Sequence, residues 1–189
     1  MPAKVILIGG GARSGKSRFA LEYAQKLGER RLFVATAQAF DAEMQDRILR
    51  HQEERGSAFA TAEEPLELAR LLEQVRDVDL IVVDCLTLWL SNLLLRGDSV
   101  EQIDGHVAKL VSVVRQRRQH VLMVSNEVGL GIVPESALGR IFRDVAGRAH
   151  QRLAEEADEV YFAAMGLVLR LVPEPVRTFR PGDGELGPW

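Results

Sequence analysis

Two hydrophobic periods alternate along this 189-residue chain. Uninterrupted apolar runs rich in Leu, Ile and Val at 6–8, 32–35, 79–84 and 120–125 lack the polar alternation of a half-exposed strand, so they predict strands buried on both faces of a parallel sheet. Between them the spacing changes to three and four. Phe19, Ala20, Tyr23, Ala24 and Leu27 predict a helix over 16–27 that stops at Gly28. A charged helix is expected over 41–55, with Asp41 as its cap, Gly56 as its stop, and Met44, Ile48 and His51 on one side. Another is expected over 66–75, entered through Glu63-Glu64-Pro65. Ser99 caps a stripe of Ile103, Val107, Leu110, Val111 and Val114 that closes at Arg115, Arg117 and Arg118. A long helix over 137–157 carries Leu138, Ile141, Phe142, Val145, Ala149 and Leu153 inward. Residues 59–61 suit a short strand, and 159–164 and 167–172 flank Met165-Gly166 as an antiparallel hairpin at one sheet edge. From Pro173 onward the chain holds four of its seven prolines and no period, so we expect one domain over 1–172 and an extended or disordered tail over 173–189.

The polar residues at the strand ends carry the chemistry. Gly10, Gly15, Lys16 and Ser17 fill the fixed positions of a G-x-x-x-x-G-K-[S/T] phosphate loop, with Gly11, Ala12, Arg13 and Ser14 between them. Glycines let consecutive N–H groups surround an anion, and the helix that follows adds the positive end of its dipole. Lys16 would reach the β- and γ-phosphates of a nucleoside triphosphate, and the Ser17 hydroxyl would ligate Mg²⁺. The fold expected is therefore α/β and P-loop NTPase-like, a mostly parallel sheet flanked by helices with the antiparallel hairpin near its C-terminus. In such sheets ligands gather where strands end, which brings Thr36, Ala37 and Gln38 into consideration. Asp84, closing the run at 79–84, is either a metal carboxylate or the N-cap of the segment at 86–95. Asn126 and Glu127 either face the ligand or cap their own loop. On spacing alone His51 reads as a boundary residue, although Arg47, Arg50 and Arg55 surround it with positive charge. His106, His120 and His150 read as surface or boundary residues.

Composition narrows the partners. A net charge of -3 with pI near 5.9 and no basic block excludes a non-specific nucleic-acid binder and favours a small-molecule substrate. The single cysteine, Cys85, cannot form an internal disulfide and sits in an apolar run, which suits an inert buried thiol and the cytoplasm. No signal peptide is expected before the first strand, and the apolar stretch at 80–95 is broken by Asp84, Thr87, Ser91 and Asn92, which is wrong for a membrane span.

Several stretches together resemble one family. Gly10-Gly11-Ala12-Arg13-Ser14-Gly15-Lys16-Ser17, Ala35-Thr36-Ala37-Gln38, Asp41-Ala42-Glu43-Met44, Arg47-Ile48-Leu49-Arg50-His51, Thr61-Ala62-Glu63, Asp84-Cys85-Leu86-Thr87, Asn126-Glu127-Val128-Gly129-Leu130-Gly131-Ile132-Val133-Pro134 and Phe142-Arg143-Asp144-Val145-Ala146-Gly147 are similar to the bifunctional adenosylcobinamide kinase and adenosylcobinamide-phosphate guanylyltransferase family of cobalamin biosynthesis, from Ile6 to roughly Val172. The resemblance implies two steps. The γ-phosphate of ATP or GTP passes to the aminopropanol hydroxyl of adenosylcobinamide. A histidine then takes GMP from GTP, releasing pyrophosphate, and hands it to the phosphate just made, giving adenosylcobinamide-GDP.

By the same resemblance His51 is the guanylylated histidine, and Lys16 serves the catalysis. The nucleotide contacts fall on the phosphate loop from Gly10 to Ser17, on Thr36, Ala37 and Gln38, on Gln52, Glu53, Glu54 and Arg55, and on Glu63 and Asp84. Mg²⁺ on Ser17 and Asp84 and a homotrimer are implied likewise. Two positions depart from the family pattern: Ala37 stands where serine is usual, removing a hydroxyl, and Asp84 stands where glutamate is frequent, shortening the carboxylate's reach. Two rivals give distinct products. Another P-loop small-molecule kinase would release no pyrophosphate, and a nucleotide-regulated switch would turn over slowly with every small acceptor.

Overall fold

In the computed structural model of the chain, residues 2–38, 56–116 and 118–173 are described, together with the backbone of Arg177–Phe179. The expected helix over 41–55, and with it His51, lies outside the described residues. In chain order the elements are β1 (Val5–Gly10), α1 (Lys16–Leu27), β2 (Arg31–Ala35), a 3₁₀ turn (Gly56–Ala58), β3 (Ala60–Glu63), α2 (Leu68–Gln74), β4 (Leu80–Asp84), α3 (Leu86–Arg96), α4 (Val100–Arg115), β5 (His120–Val124), α5 (Ala137–Ala154), β6 (Glu159–Ala164), β7 (Leu167–Val172) and β8 (Arg177–Phe179). The sheet order is β3-β2-β4-β5-β1-β6-β7-β8. The first six strands run parallel, and β7 and β8 are antiparallel to their neighbours. This bears out the α/β expectation.

Register aligns one edge of the sheet. Glu63 pairs with Ala35, Ala35 with Asp84, Asp84 with Val124 and Val124 with Ile8, so five parallel strands end along one line and the loops that follow them share a rim. The strands' two-residue period divides the core between two faces. Val5, Leu7, Val34, Ile81, Val83, Val121 and Met123 pack under α2, α3, α4 and α5, with Trp89, Leu90 and Leu93 fully enclosed. Ile6, Ile8, Phe33, Leu80, Val82, Leu122 and Val124 pack against Phe19, Ala20, Tyr23 and Ala24 of α1. Each large apolar side chain buried this way contributes about 1.5–3 kcal/mol. Among the described residues no helix is long and apolar enough to cross a membrane.

Several boundaries move for local reasons. The helix expected from 66 begins at Leu68, because Glu64 Oε1 accepts the N–H groups of Leu66 (2.9 Å) and Glu67 (2.8 Å) and closes a turn first. The strand expected at 59–61 runs over Ala60–Glu63, while Phe59 is buried with its ring edge against Phe33. The last long helix stops at Ala154 rather than 157, its end tightened by Glu156 and Ala157 N–H groups bonding three residues back. The hairpin of β6 and β7 is not the sheet edge, since β8, three residues from the tail beyond Pro173, pairs along β7 and covers its open hydrogen-bonding groups. Ser99 caps α4 in a full capping box with Gln102. Gly28 ends α1 with extended backbone rather than a left-handed turn. Glycine is needed there because a Cβ would lie 2.5 Å from the Cβ of Asp79.

Candidate functional site

The rim formed by the strand ends centres on the loop after β1. Gly10 sits at φ +150°, and a side chain there would bring its Cβ to 2.4 Å from the Ala163 carbonyl oxygen across the β1–β6 pair. Gly15, in the left-handed region at φ +95°, starts α1, and Arg13 also takes positive φ. Residues 11–14 close as a tight turn, Ser14 N–H donating to Gly11 O at 3.3 Å. The result is a ring of backbone ahead of a helix whose first N–H groups have no partner within the helix.

Two side chains in this ring mark an anion cradle. Lys16 is buried, and its Nζ donates to Gly11 O at 3.0 Å, so the ammonium is folded onto the loop's own carbonyl. Ser14 is also buried, and its hydroxyl has no hydrogen-bond partner among the described residues. An unsatisfied buried hydroxyl is costly unless a ligand completes it. Ala12 and Arg13 are exposed, and Gly11 and Ser17 are half-buried at the mouth.

Asp84 closes β4, one strand beyond β5 from the loop strand. It is not the helix cap: α3 is capped at Cys85, without a side-chain bond. The Asp84 carboxylate and Lys16 ammonium both act on the buried Cys85 thiol. Burial pushes the thiol up to about 11, the charge of Asp84 pushes the same way, and Lys16 pulls it back. Cys85 is thus the inert thiol expected, lying under both groups. Ser17 hydroxyl and Asp84 carboxylate are hard oxygen donors, and no cluster of three metal-ligating side chains exists among the described residues. Hard oxygen donors are the kind that Mg²⁺ takes, its remaining ligands coming from phosphate and water.

The Thr36 hydroxyl is fully buried and engaged twice by one residue, accepting Cys85 N–H at 2.8 Å and donating to Cys85 O at 2.7 Å. Asn92 Nδ2 donates to Thr36 O at 2.8 Å. Thr36 therefore ties the end of β2 to the end of β4 and leaves the rim to Ala37 and Gln38, both half-buried. Glu63 is exposed at the end of β3, four strand spacings from Gly10, or roughly 19 Å. It is not brought together with the loop. Gln52, Glu53, Glu54 and Arg55, with His51, lie outside the described residues.

Both residues of the pair beyond β5 make capping contacts. Asn126 is a staple, its N–H and Nδ2 both donating to Thr87 Oγ1 at 3.1 Å, while Thr87 donates to Cys85 Sγ at 3.2 Å. Glu127 N–H donates to Gly10 O at 2.9 Å, laying the residue against the first loop glycine. Its Oε1 accepts the Gly129 N–H, and its Oε2 stands 3.8 Å from His150 Nδ1. His150 Nε2 lies 2.6 Å from Ser125 Oγ.

His150 is half-buried, a boundary residue as expected, and joins a polar cluster with Ser125 and Glu127. Burial holds its pKa below the ordinary histidine value, opposed by Glu127. His120 differs from expectation. It is buried, and its Nδ1 accepts Lys4 N–H at 3.0 Å at the opposite ends of the strands. The sequence offered one signal for Ser125 and Glu127, their place just past a buried strand; for His150 it offered only a slot beside Ala149 on the inward stripe.

Known proteins match this arrangement over nearly its whole length. The family model described as cobinamide kinase / cobinamide phosphate guanyltransferase matches residues 6–171. A bifunctional adenosylcobalamin biosynthesis protein CobP of Pseudomonas aeruginosa is 44% identical over 171 residues, covering 90% of this chain and 98% of the relative. A bifunctional adenosylcobalamin biosynthesis protein CobU of Salmonella typhimurium is 38% identical over 180 residues, 88% of this chain and 99% of the relative. Among solved structures, an ATPase domain superposes with TM-score 0.55 at 15% identity, covering 93% of this chain and 79% of that one. The flagellar accessory protein FlaH of Methanocaldococcus jannaschii gives 0.54 at 14%, with 95% and 86% covered. At those identities the likeness shows the fold, which is P-loop NTPase-like.

Proposed function

The chain belongs to the cobinamide kinase / cobinamide phosphate guanyltransferase family, and we propose that both reactions use the triphosphate held by the loop between β1 and α1. It is an adenosylcobinamide kinase and adenosylcobinamide-phosphate guanylyltransferase of cobalamin biosynthesis. The observation that supports a shared triphosphate site is the loop itself, with Lys16 folded onto Gly11 O and the Ser14 hydroxyl without a partner among the described residues.

In the kinase step, phosphate oxygens replace Gly11 O as the acceptor of the Lys16 ammonium, and the loop N–H groups take up the charge that grows on the β–γ bridge. The acceptor hydroxyl oxygen attacks the γ-phosphorus, and the bond to the bridging oxygen breaks. Ser17 hydroxyl and Asp84 carboxylate would hold Mg²⁺, whose positive charge offsets that of the phosphates when it is bound.

In the guanylyl step the neutral His51 imidazole attacks the α-phosphorus of GTP and pyrophosphate leaves; Arg47, Arg50 and Arg55 of the same stretch supply compensating charge. A cobinamide phosphate oxygen then displaces the imidazole, which closes the cycle. The other proposed nucleotide contacts are Gly10–Ser17, Thr36, Ala37, Gln38, Gln52, Glu53, Glu54, Arg55, Glu63 and Asp84; Thr36 is fully buried, with its hydroxyl on Cys85, its N–H on Asp84 O and its carbonyl on Asn92, so it serves by holding Ala37 and Gln38 in place. A cytoplasmic homotrimer, three times the 21.0 kDa chain, is the assembly we propose, and light scattering reads it directly.

Intact-mass measurement after incubation with GTP and Mg²⁺ tests the covalent step. Wild type gains one GMP and His51→Ala gains none. An adduct that persists in His51→Ala overturns the assignment.

A further inference from the structure

Phosphoryl transfer to an alcohol needs an acceptor for the hydroxyl proton, and the roles above name none. Among the described residues discussed at the rim, three carboxylates stand out: Glu63 is four strands from the loop, Asp84 is assigned to the metal, and Glu127 remains.

Glu127 is held as a base would need to be. Ser125 N–H donates to Ile8 O and Glu127 N–H to Gly10 O, both at 2.9 Å, so the segment continues β5's pairing with the loop strand past the sheet and fixes Glu127 beside Gly10. The Asn126 staple to Thr87 fixes the intervening residue. One carboxylate oxygen accepts Gly129 N–H, and the other faces His150 Nδ1. The Glu127 side chain is 29% exposed, so a substrate can reach it.

His150 arrives from α5, 25 residues along the chain from Ser125, so the cluster joins the end of β5 to a separate helix. Burial favours its neutral ring, which carries one proton. A carboxylate only accepts, so the proton belongs on Nδ1, toward Glu127. Nε2 then accepts from the Ser125 hydroxyl, itself 1% exposed and without freedom to turn to solvent. The Ser125 hydroxyl can donate as well as accept, so its contact fits that tautomer and anchors the ring 3.8 Å from the Glu127 carboxylate.

We propose that Glu127 takes the proton of the acceptor hydroxyl during the kinase step and that His150, anchored by Ser125, positions it. The O–H bond breaks toward the Glu127 carboxylate as the oxygen bonds to the γ-phosphorus. The β–γ bridging bond breaks, its electron pair leaves on the nucleoside diphosphate, and Glu127 later returns the proton to water. This inference rests on the kinase reading above.

Steady-state phosphorylation of cobinamide with ATP, run beside the GMP-adduct assay, separates the two. Glu127→Gln should lower kcat by about 10²–10⁴ with KM for ATP unchanged, while the adduct still forms, because a neutral imidazole has no hydroxyl proton to surrender. His150→Leu, which fills the space without a donor, should lower kcat about tenfold, and His150→Asn, which restores a donor near Nδ1, should recover most of it. A kcat within threefold of wild type in Glu127→Gln overturns the proposal, as does equal loss in His150→Leu and His150→Asn. Parallel loss of phosphorylation and adduct also overturns it, since that marks damage to the shared cradle. A wild-type protein that phosphorylates no cobinamide refutes the functional reading instead.

Discussion

Lys16 Nζ donates to the Gly11 carbonyl at 3.0 Å, so the loop's buried cation is held by the loop's own backbone. The bond offsets part of the penalty that burial puts on the ammonium.

Lys16→Ala removes the buried loop cation that we propose neutralises the β- and γ-phosphates, so both half-reactions should slow. We expect phosphorylation of cobinamide and formation of the GMP adduct each to fall by about 10²–10³. Parallel rate measurements check it, and full guanylyl transfer in the variant would place the two reactions on different triphosphates.

Thr36→Val should destabilise the protein although it preserves shape. The hydroxyl satisfies both the N–H and the C=O of Cys85 in a fully buried position, and valine leaves them without that partner. The loss should be about 1–3 kcal/mol in urea unfolding. A change below the error of the midpoint would show that the tie between β2 and β4 contributes nothing.

Asp79 shapes acid stability at the opposite ends of the strands. The Arg30 guanidinium bonds its Oδ1, at 2.7 Å from one terminal nitrogen, and the N–H groups of Arg30 and Glu29 bond Oδ2. The Arg30 side-chain bond is the largest cause that holds its pKa at about 2, below the ordinary carboxylate value of 3.8. A depressed folded-state pKa contributes stability above the unfolded value, and that contribution is lost as pH falls from about 4 toward 2. The melting temperature of Asp79→Asn should therefore fall less steeply than wild type across that interval, and identical slopes would remove Asp79 from the account.

The sequence by itself determined the elements and the kind of chemistry. Uninterrupted apolar runs could only be strands covered on both sides, stripes at three and four could only be helices laid on them, and Gly10, Gly15, Lys16 and Ser17 sit at fixed offsets because one turn of backbone makes the whole cradle. These are local properties, legible within a few residues of chain.

Tertiary structure alone decided what the rim residues do. Asp84 could have capped a helix until the cap position was found at Cys85, one residue later, and the Thr36 hydroxyl stood open to a nucleotide until it was found on Cys85, 49 residues away. Ser125, Glu127 and His150 meet because α5 returns across the sheet to the end of β5, and β8 occupies an edge that composition assigned to a tail. Periodicity reports which face a residue takes; which residue of another element it meets there depends on strand order and register, and these are set by the packing of the whole sheet.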